Sequence, residues 1–444
     1  MKTRLLLGAA GLCVLAACSD KVVPNFNNPS LPPTGVIQNP SRAAIQQLVN
    51  GLIIQTRADF GPAIRDAEII GRDAYNLDPS DPRWVTELLG VGQDLDPGGF
   101  GGNHFVNQYA AVRSANLVLN SVATVDPTAG VISAEEIAAT DGFAKTLKAL
   151  NVLSVIEFHD VNGAPVDVAA DPDSLLPILC RDNALNAVAS LLDEALTDLQ
   201  TAGSADFPFT LPDGFTDVGT PADFIGFNRA LKAKVEWYLG DPNAVLVELA
   251  QSFASTSTPL DFGAYFNYST DPTDIANPFF LAQGTIRAHP SDTAAFEAGD
   301  DRAAKIIVGE ARTNTGITSG LEFTIYPTAA SPIPIIRNEE LILLGAQAKI
   351  LTNDVPGAAD DINFIRNAHG LPDKTLSTAD AAMDEALLQK RLSLLLESPD
   401  RWVDLRVLDR LDELPLDAPN HRVHVAYPIP RDESNARGGN IACQ

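Results

Sequence analysis

The stretch IRNEELILLGAQAKILTNDVPGAADDINFIRNAHGLP, Ile336 to Pro372, decides the fold. Leu341, Leu344, Ala348 and Leu351 recur at three- and four-residue intervals, which places them on one face of a helix about four turns long. Asn353-Asp354-Val355-Pro356-Gly357 breaks that helix, because proline cannot continue the preceding hydrogen-bond ladder but suits a first helical turn. Ala358, Ile362 and Ile365 resume the stripe until His369-Gly370-Leu371-Pro372 stops it, so the stretch predicts a helical hairpin. Gly345, Ala346, Ala348, Ala358, Ala359 and Ala368 are small enough to let its two helices approach closely, as in tetratricopeptide-like pairs. A third helix is predicted from about Ala379 to Glu397, with Met383, Leu387, Leu388, Leu392 and Leu395 inward.

Working outward, the same style recurs. Helical signals begin at Ser41, a good N-cap, and return over His104 to Val122 and Ser133 to Phe158. Arg181 to Gln200 is the cleanest amphipathic pattern, with Leu185, Val188, Leu192, Leu196 and Leu199 inside. Pro221 to Leu239, the turn Gly240-Asp241-Pro242 and a helix bearing Leu246, Leu249 and Phe253 repeat the hairpin layout. The predicted fold is therefore mainly α, a tetratricopeptide-like array of degenerate helical hairpins with irregular, loop-rich insertions. The longest insertion, about 255–335, is aromatic and reads as loops and short strands on the helical scaffold, with Leu321, Phe323 and Ile325 alternating as a strand does.

The chain of 444 residues carries a net charge of −26, which disfavours nucleic acid as a partner because its phosphates would be repelled. Residues 1–17 read as a signal segment: Lys2 and Arg4 precede an apolar run that ends at Leu15-Ala16-Ala17-Cys18, a bacterial lipobox. That run is shorter than the roughly 20 apolar residues a spanning helix needs. Cys18 is thus the expected lipidation site, and Ser19 after it favours the outer membrane, by likeness to bacterial lipoproteins in general. Residues 18–40, rich in Asn, Pro and Ser, read as an extended tether, and 41–444 as one helical domain. Two cysteines remain for an exported chain, Cys180 and Cys443. They either bridge, tying the tail to the body, or stay as a buried thiol and a loose terminal one.

Binding residues are sought where the helical rhythm fails. Gly71 to Gly102 concentrates Arg72, Asp73, Tyr75, Asn76 and Trp84 before the cluster Gly98-Gly99-Phe100-Gly101-Gly102. Aromatic faces stack on the apolar side of a sugar ring, and Arg, Asp or Asn side chains bond its hydroxyls. The plainer reading makes Trp84 a partly buried packing residue. Tyr265 and Tyr268 in the long insertion are further candidates. The glycine cluster lacks the Lys-Ser/Thr of a phosphate loop. No His-Glu-x-x-His, Gly-x-Ser-x-Gly, Cys-x-x-Cys or EF-hand loop occurs, so no catalytic residue, metal or cofactor is assigned. His159-Asp160 and the Asp171–Asp173 pair read as structural. Arg401, Trp402 and Asp404 read as a buried tryptophan between two locally bonded charges.

The order Asn338-Glu339-Glu340-Leu341, then Ile362-Asn363-Phe364-Ile365-Arg366 with Gly370-Leu371, Lys390-Arg391 to Glu397, Arg401-Trp402-Val403-Asp404-Leu405-Arg406, and Tyr427-Pro428-Ile429-Pro430 with Glu433 and Asn435 resembles the C-terminal half of the SusD/RagB family. That family usually shows Glu-Arg-Arg and then Glu-Gly before Arg-Trp, where this chain has Gln389-Lys390-Arg391 and Glu397-Ser398-Pro399-Asp400. The resemblance implies a lipid-anchored, surface-exposed outer-membrane protein. It would capture an oligosaccharide or other nutrient without catalysis, as the lid of a SusC-like TonB-dependent barrel. It carries over no ligand-binding motif. A lipid-anchored glycoside hydrolase is the alternative, since 57 acidic residues leave room for a carboxylate pair. A helical scaffold for envelope assembly is a third.

Overall fold

The computed structural model describes residues 37–171 and 174–444; the signal segment, Cys18, most of the tether, and Pro172 and Asp173 lie outside them. Helices α1 (Arg42–Ala58) and α2 (Phe60–Ile70) lead into strand β1 (Ala74–Asn76). Then come α3 (Val106–Val122), α4 (Ala134–His159), α5 (Arg181–Ala202), α6 (Pro221–Leu239) and α7 (Pro242–Leu249). The long insertion holds β2 (Gly263–Phe266), α8 (Pro278–Leu281), β3 (Ile286–Ala288), α9 (Pro290–Ala295), β4 (Ile306–Asn314), β5 (Ile317–Phe323) and β6 (Ile333–Arg337). Last are α10 (Asn338–Leu351), α11 (Val355–Ala368), α12 (Ala379–Ser393), α13 (Asp400–Val407) and α14 (Arg431–Ala436). The fold is mainly α.

Sequence chemistry accounts for the helix ends. Ser41 accepts from Ala44 N–H, Ser133 and Glu136 form a reciprocal capping box, and Asp241 and Asp354 cap helices that start Pro242 and Val355-Pro356. Neighbouring helices pack in succession, α1 on α3, α3 on α4, α4 on α5, α5 on α6 and α6 on α7, and α7 in turn meets α10. Ala346, Ile350, Ala358, Ile362, Met383 and Ala386 close the space between α10, α11 and α12, as the small-residue pattern predicts. Gly345 does something else: a Cβ there would sit 3.3 Å from Leu249 of α7, so its smallness serves contact between successive hairpins.

Three expectations need correction. The third helix ends at Ser393, short of Glu397, because Leu396 turns into left-handed backbone and gives its N–H to Glu68 Oε1 at 2.8 Å. The short strands expected in the insertion are present: β2 pairs antiparallel with β6, β3 with β1, and β4 with β5 across the two-residue turn Thr315-Gly316, both at positive φ. The strand read at Leu321–Ile325 is β5, starting earlier and ending at Phe323. Asn338 pins the insertion to the scaffold, its amide donating to Ser255, Thr258 and Pro259 carbonyls while its Oδ1 accepts from Ser255 N–H.

The third correction concerns Arg401 and Asp404, whose partners are remote in sequence. Asp404 accepts from Trp237 Nε1 (2.9 Å), Gln347 Nε2 (3.0 Å) and Lys390 Nζ (2.8 Å), and Arg401 pairs with Asp73 and Arg72 O. Asp404 is buried and Arg401 partly so, and the fold supplies partners for both from other elements. Trp402 is fully buried as expected, its Nε1 donating to His424 O at 2.8 Å.

Between α2 and α3 the buried His104 ring lies between two carboxylates, Nδ1 at 2.8 Å from Asp59 and Nε2 at 2.9 Å from Asp66. Burial disfavours the imidazolium, but Asp59 and Asp66 outweigh it and raise the pKa to about 9. A folded value above the free value means the stabilisation is complete below about pH 6.5 and is lost as pH rises through 9, in total about 3 kcal/mol at 1.36 kcal/mol per unit. We expect His104→Gln to flatten the decline in stability between pH 6 and 9.5 in urea titrations. An unchanged slope in the variant would remove His104 as its cause.

Candidate functional site

The segment that follows α2 is folded around internal charges. The carboxylate of Glu87 takes N–H groups from Phe100 (2.6 Å), Asp96 (3.0 Å) and Gly101 (3.3 Å), so the glycine-rich turn cradles an anion of the protein itself. A Cβ at Gly99 would lie 2.7 Å from Glu87 Oε1, which is why the turn uses glycine there. Trp84 is half-buried, with the Arg65 guanidinium 4.6 Å above its ring and the Phe100 ring 4.5 Å away.

Arg72, Tyr75 and Asn76 are buried. Arg72 donates to Ile70 O and Arg422 O, both at 2.7 Å. Tyr75 packs on His289 with ring centroids 5.0 Å apart, and burial, with Asp417 nearby, pushes its phenol above the usual value. Asn76 accepts Asp78 N–H within the turn after β1. Tyr268 is buried under Arg57, 5.5 Å from its ring, and Tyr265 donates its hydroxyl to Asp261 O. Burial turns the Tyr75 and Tyr268 rings away from the surface, while Tyr265 is partly buried.

Asp73 differs. It lines a cavity of about 350 Å³ together with Glu68 of α2, Leu387, Leu388 and Arg391 of α12, and Arg401 and Leu405 of α13. That volume is at the small end of the about 300–1,000 Å³ of ligand clefts. Arg391 Nε donates to Asp73 Oδ1 at 2.7 Å and Arg391 Nη2 to Ser291 Oγ at 2.7 Å and to Asp292. Arg401 Nη1 bonds Asp73 Oδ1 and, at 3.2 Å, Arg72 O. Both guanidiniums are therefore fixed from behind. Burial pushes Asp292 up to about 7 against the pull of Arg391, and burial with Asp292 beside it raises Glu68 well above the usual carboxylate range.

Of the polar residues singled out in the sequence, Asp73, Arg401 and Asp404 come together at this cavity. Arg391 was missed as a lining residue. Its signal was the pair Lys390-Arg391, two adjacent cations near the end of a helix whose apolar positions were already assigned. Cys180 and Cys443 are joined by a disulfide with Cα atoms 4.7 Å apart. No helix among the described residues is long and apolar enough to cross a membrane.

No protein-family model matches the sequence, and no curated protein matches it. Solved structures do match the fold. A SusD-like carbohydrate binding protein from Bacteroides vulgatus superposes with a TM-score of 0.67 at 13% identity, over 91% of this chain and 98% of that one. A SusD superfamily protein from Parabacteroides distasonis gives 0.68 at 14% identity, over 90% and 98%. Surface glycan-binding protein A from Bacteroides thetaiotaomicron gives 0.68 at 13% identity, over 89% and 97%. The chain has the SusD-like fold.

Proposed function

We propose that this chain is a SusD/RagB-family lipoprotein that captures carbohydrate at the cell surface without cleaving it. The observation that carries the reading is the near full-length match to solved SusD-like structures, among them carbohydrate-binding and surface glycan-binding proteins. A cavity with fixed polar groups and an apolar wall fits binding by a preformed site. In this reading residues 1–17 direct export, Cys18 carries the lipid, 18–40 tether the body, and 41–444 act as the lid of a TonB-dependent barrel in the outer membrane.

Native-membrane pull-down of the full-length protein tests the partnership. A barrel of transporter size should co-purify, and its absence would overturn the lid role. Cys18→Ala is expected to move the protein from the membrane pellet to the soluble fraction; retention in the pellet would refute the lipid anchor. Hydrolysis of glycans by the purified soluble chain would favour the hydrolase alternative.

A further inference from the structure

The cavity beside Asp73 holds hydrogen-bonding atoms that the fold leaves unused. Asp73 Oδ2, Arg391 Nη1, and Arg401 Nε and Nη2 make no hydrogen bond among the described residues. None of the four is among the sealed buried atoms without partners, so each keeps access to the open space. Asp73 is 2% exposed and lines the cavity, an acceptor held in place by two arginines with one oxygen unclaimed. The site thus offers one acceptor oxygen and three donor positions on two rigid planar groups, opposite a wall of Leu387, Leu388 and Leu405.

A hydroxyl is the group that both donates and accepts, and two on adjacent carbons span neighbouring planar side chains such as Asp and Arg. The leucine wall complements the C–H face of a sugar ring. Charge narrows the class further: leaving out Glu68, whose carboxyl burial holds well above the usual range, five carboxyl groups against four cationic side chains line the cavity, which opposes an acidic sugar. The volume limits the occupant to a ring or a chain end.

Resting on the carbohydrate-capture reading, we propose that this cavity binds the vicinal diol of a single neutral sugar unit. Asp73 accepts from the diol, Arg391 and Arg401 donate to it, and Leu388 packs on the ring. The protein would then take monosaccharides or oligosaccharide termini here, and internal segments of a polymer elsewhere.

Calorimetric titration of the soluble chain with glucose, galactose, mannose, xylose and their disaccharides tests this, with glucuronate as the acidic comparison. One or more neutral sugars should bind one to one, with glucuronate weaker by about tenfold or more. Leu388→Trp, which fills the cavity from its half-buried wall, should cost about tenfold or more in affinity, while Trp84→Ala retains binding. Thermal melting confirms that each variant is folded. Equal binding by wild type and Leu388→Trp, loss of binding in Trp84→Ala, or glucuronate binding as tight as the neutral sugars would each overturn the assignment. A silent panel with retention on a polysaccharide affinity gel overturns the cavity alone, whereas silence in both overturns carbohydrate capture with it.

Discussion

Replacing Lys390 by methionine should destabilise the protein by about 3–5 kcal/mol, the cost of breaking a buried ion pair from one side. Lys390 Nζ lies 2.7 Å from Asp400 and 2.8 Å from Asp404, and Lys234 lies 2.8 Å from Glu340 and 3.0 Å from Asp400. All five side chains are buried, so two cations hold three carboxyl groups largely out of solvent. Burial raises Glu340 to about 7 against the pull of Lys234, whereas Asp400, between both lysines, is held well below the usual range although burial opposes it. Without Lys390, Asp404 and Glu340 should take up protons. The loss measured by urea unfolding should therefore be smaller at pH 5.5 than at pH 8. A variant within about 1 kcal/mol of wild type at pH 8 would show that the cluster is not held as described.

Removing the disulfide is the second large effect. The double variant Cys180→Ser with Cys443→Ser should lose about 2–5 kcal/mol, because the bridge closes a loop of 263 residues in the unfolded chain. The tail also runs as a short extension beside residue 180: Gln444 N–H donates to Ile178 O at 2.9 Å and Cys180 N–H to Gln444 O at 3.0 Å. Without the bridge these bonds alone hold the terminus. Reduction of the wild type should bring its melting curve onto that of the double variant, and denatured protein without reductant should expose no free thiol from Cys180 or Cys443. Two free thiols, or a loss below about 1 kcal/mol, would refute the bridge as a stabilising element.

Much of the scaffold was legible in the sequence because amphipathic periodicity and caps are local. Ser133-x-x-Glu136 and Asp354-Val355-Pro356 mark their helix starts without tertiary help, and the stripes at Ile362 and Leu192 already identify buried faces. The third helix was overextended because Leu394 and Leu395 continue an apolar pattern, while the stop at Leu396 comes from Glu68, 328 positions away. Of the hairpin of β4 and β5 only the second strand is legible in the sequence, although Thr315-Gly316 is a usable two-residue turn signal, since β4 is mostly exposed and lacks the alternation of a half-buried strand.

Binding residues were less legible. Aromatic and polar residues gathered in a loop look alike whether they face solvent or the core, and Arg72, Tyr75 and Tyr268 face the core. Asp73 meets Arg391 and Arg401 only because α12 and α13 bring residues more than 300 positions away against the end of α2.

By itself the sequence determined the helical-hairpin array, its order and most of its ends, since these follow from spacing and capping within a few residues. Tertiary structure alone decided which charges became structural, which kept free hydrogen-bonding atoms at a cavity, and that Cys180 and Cys443 would meet. Those outcomes depend on burial, and burial is set by what other parts of the chain bring to the same place.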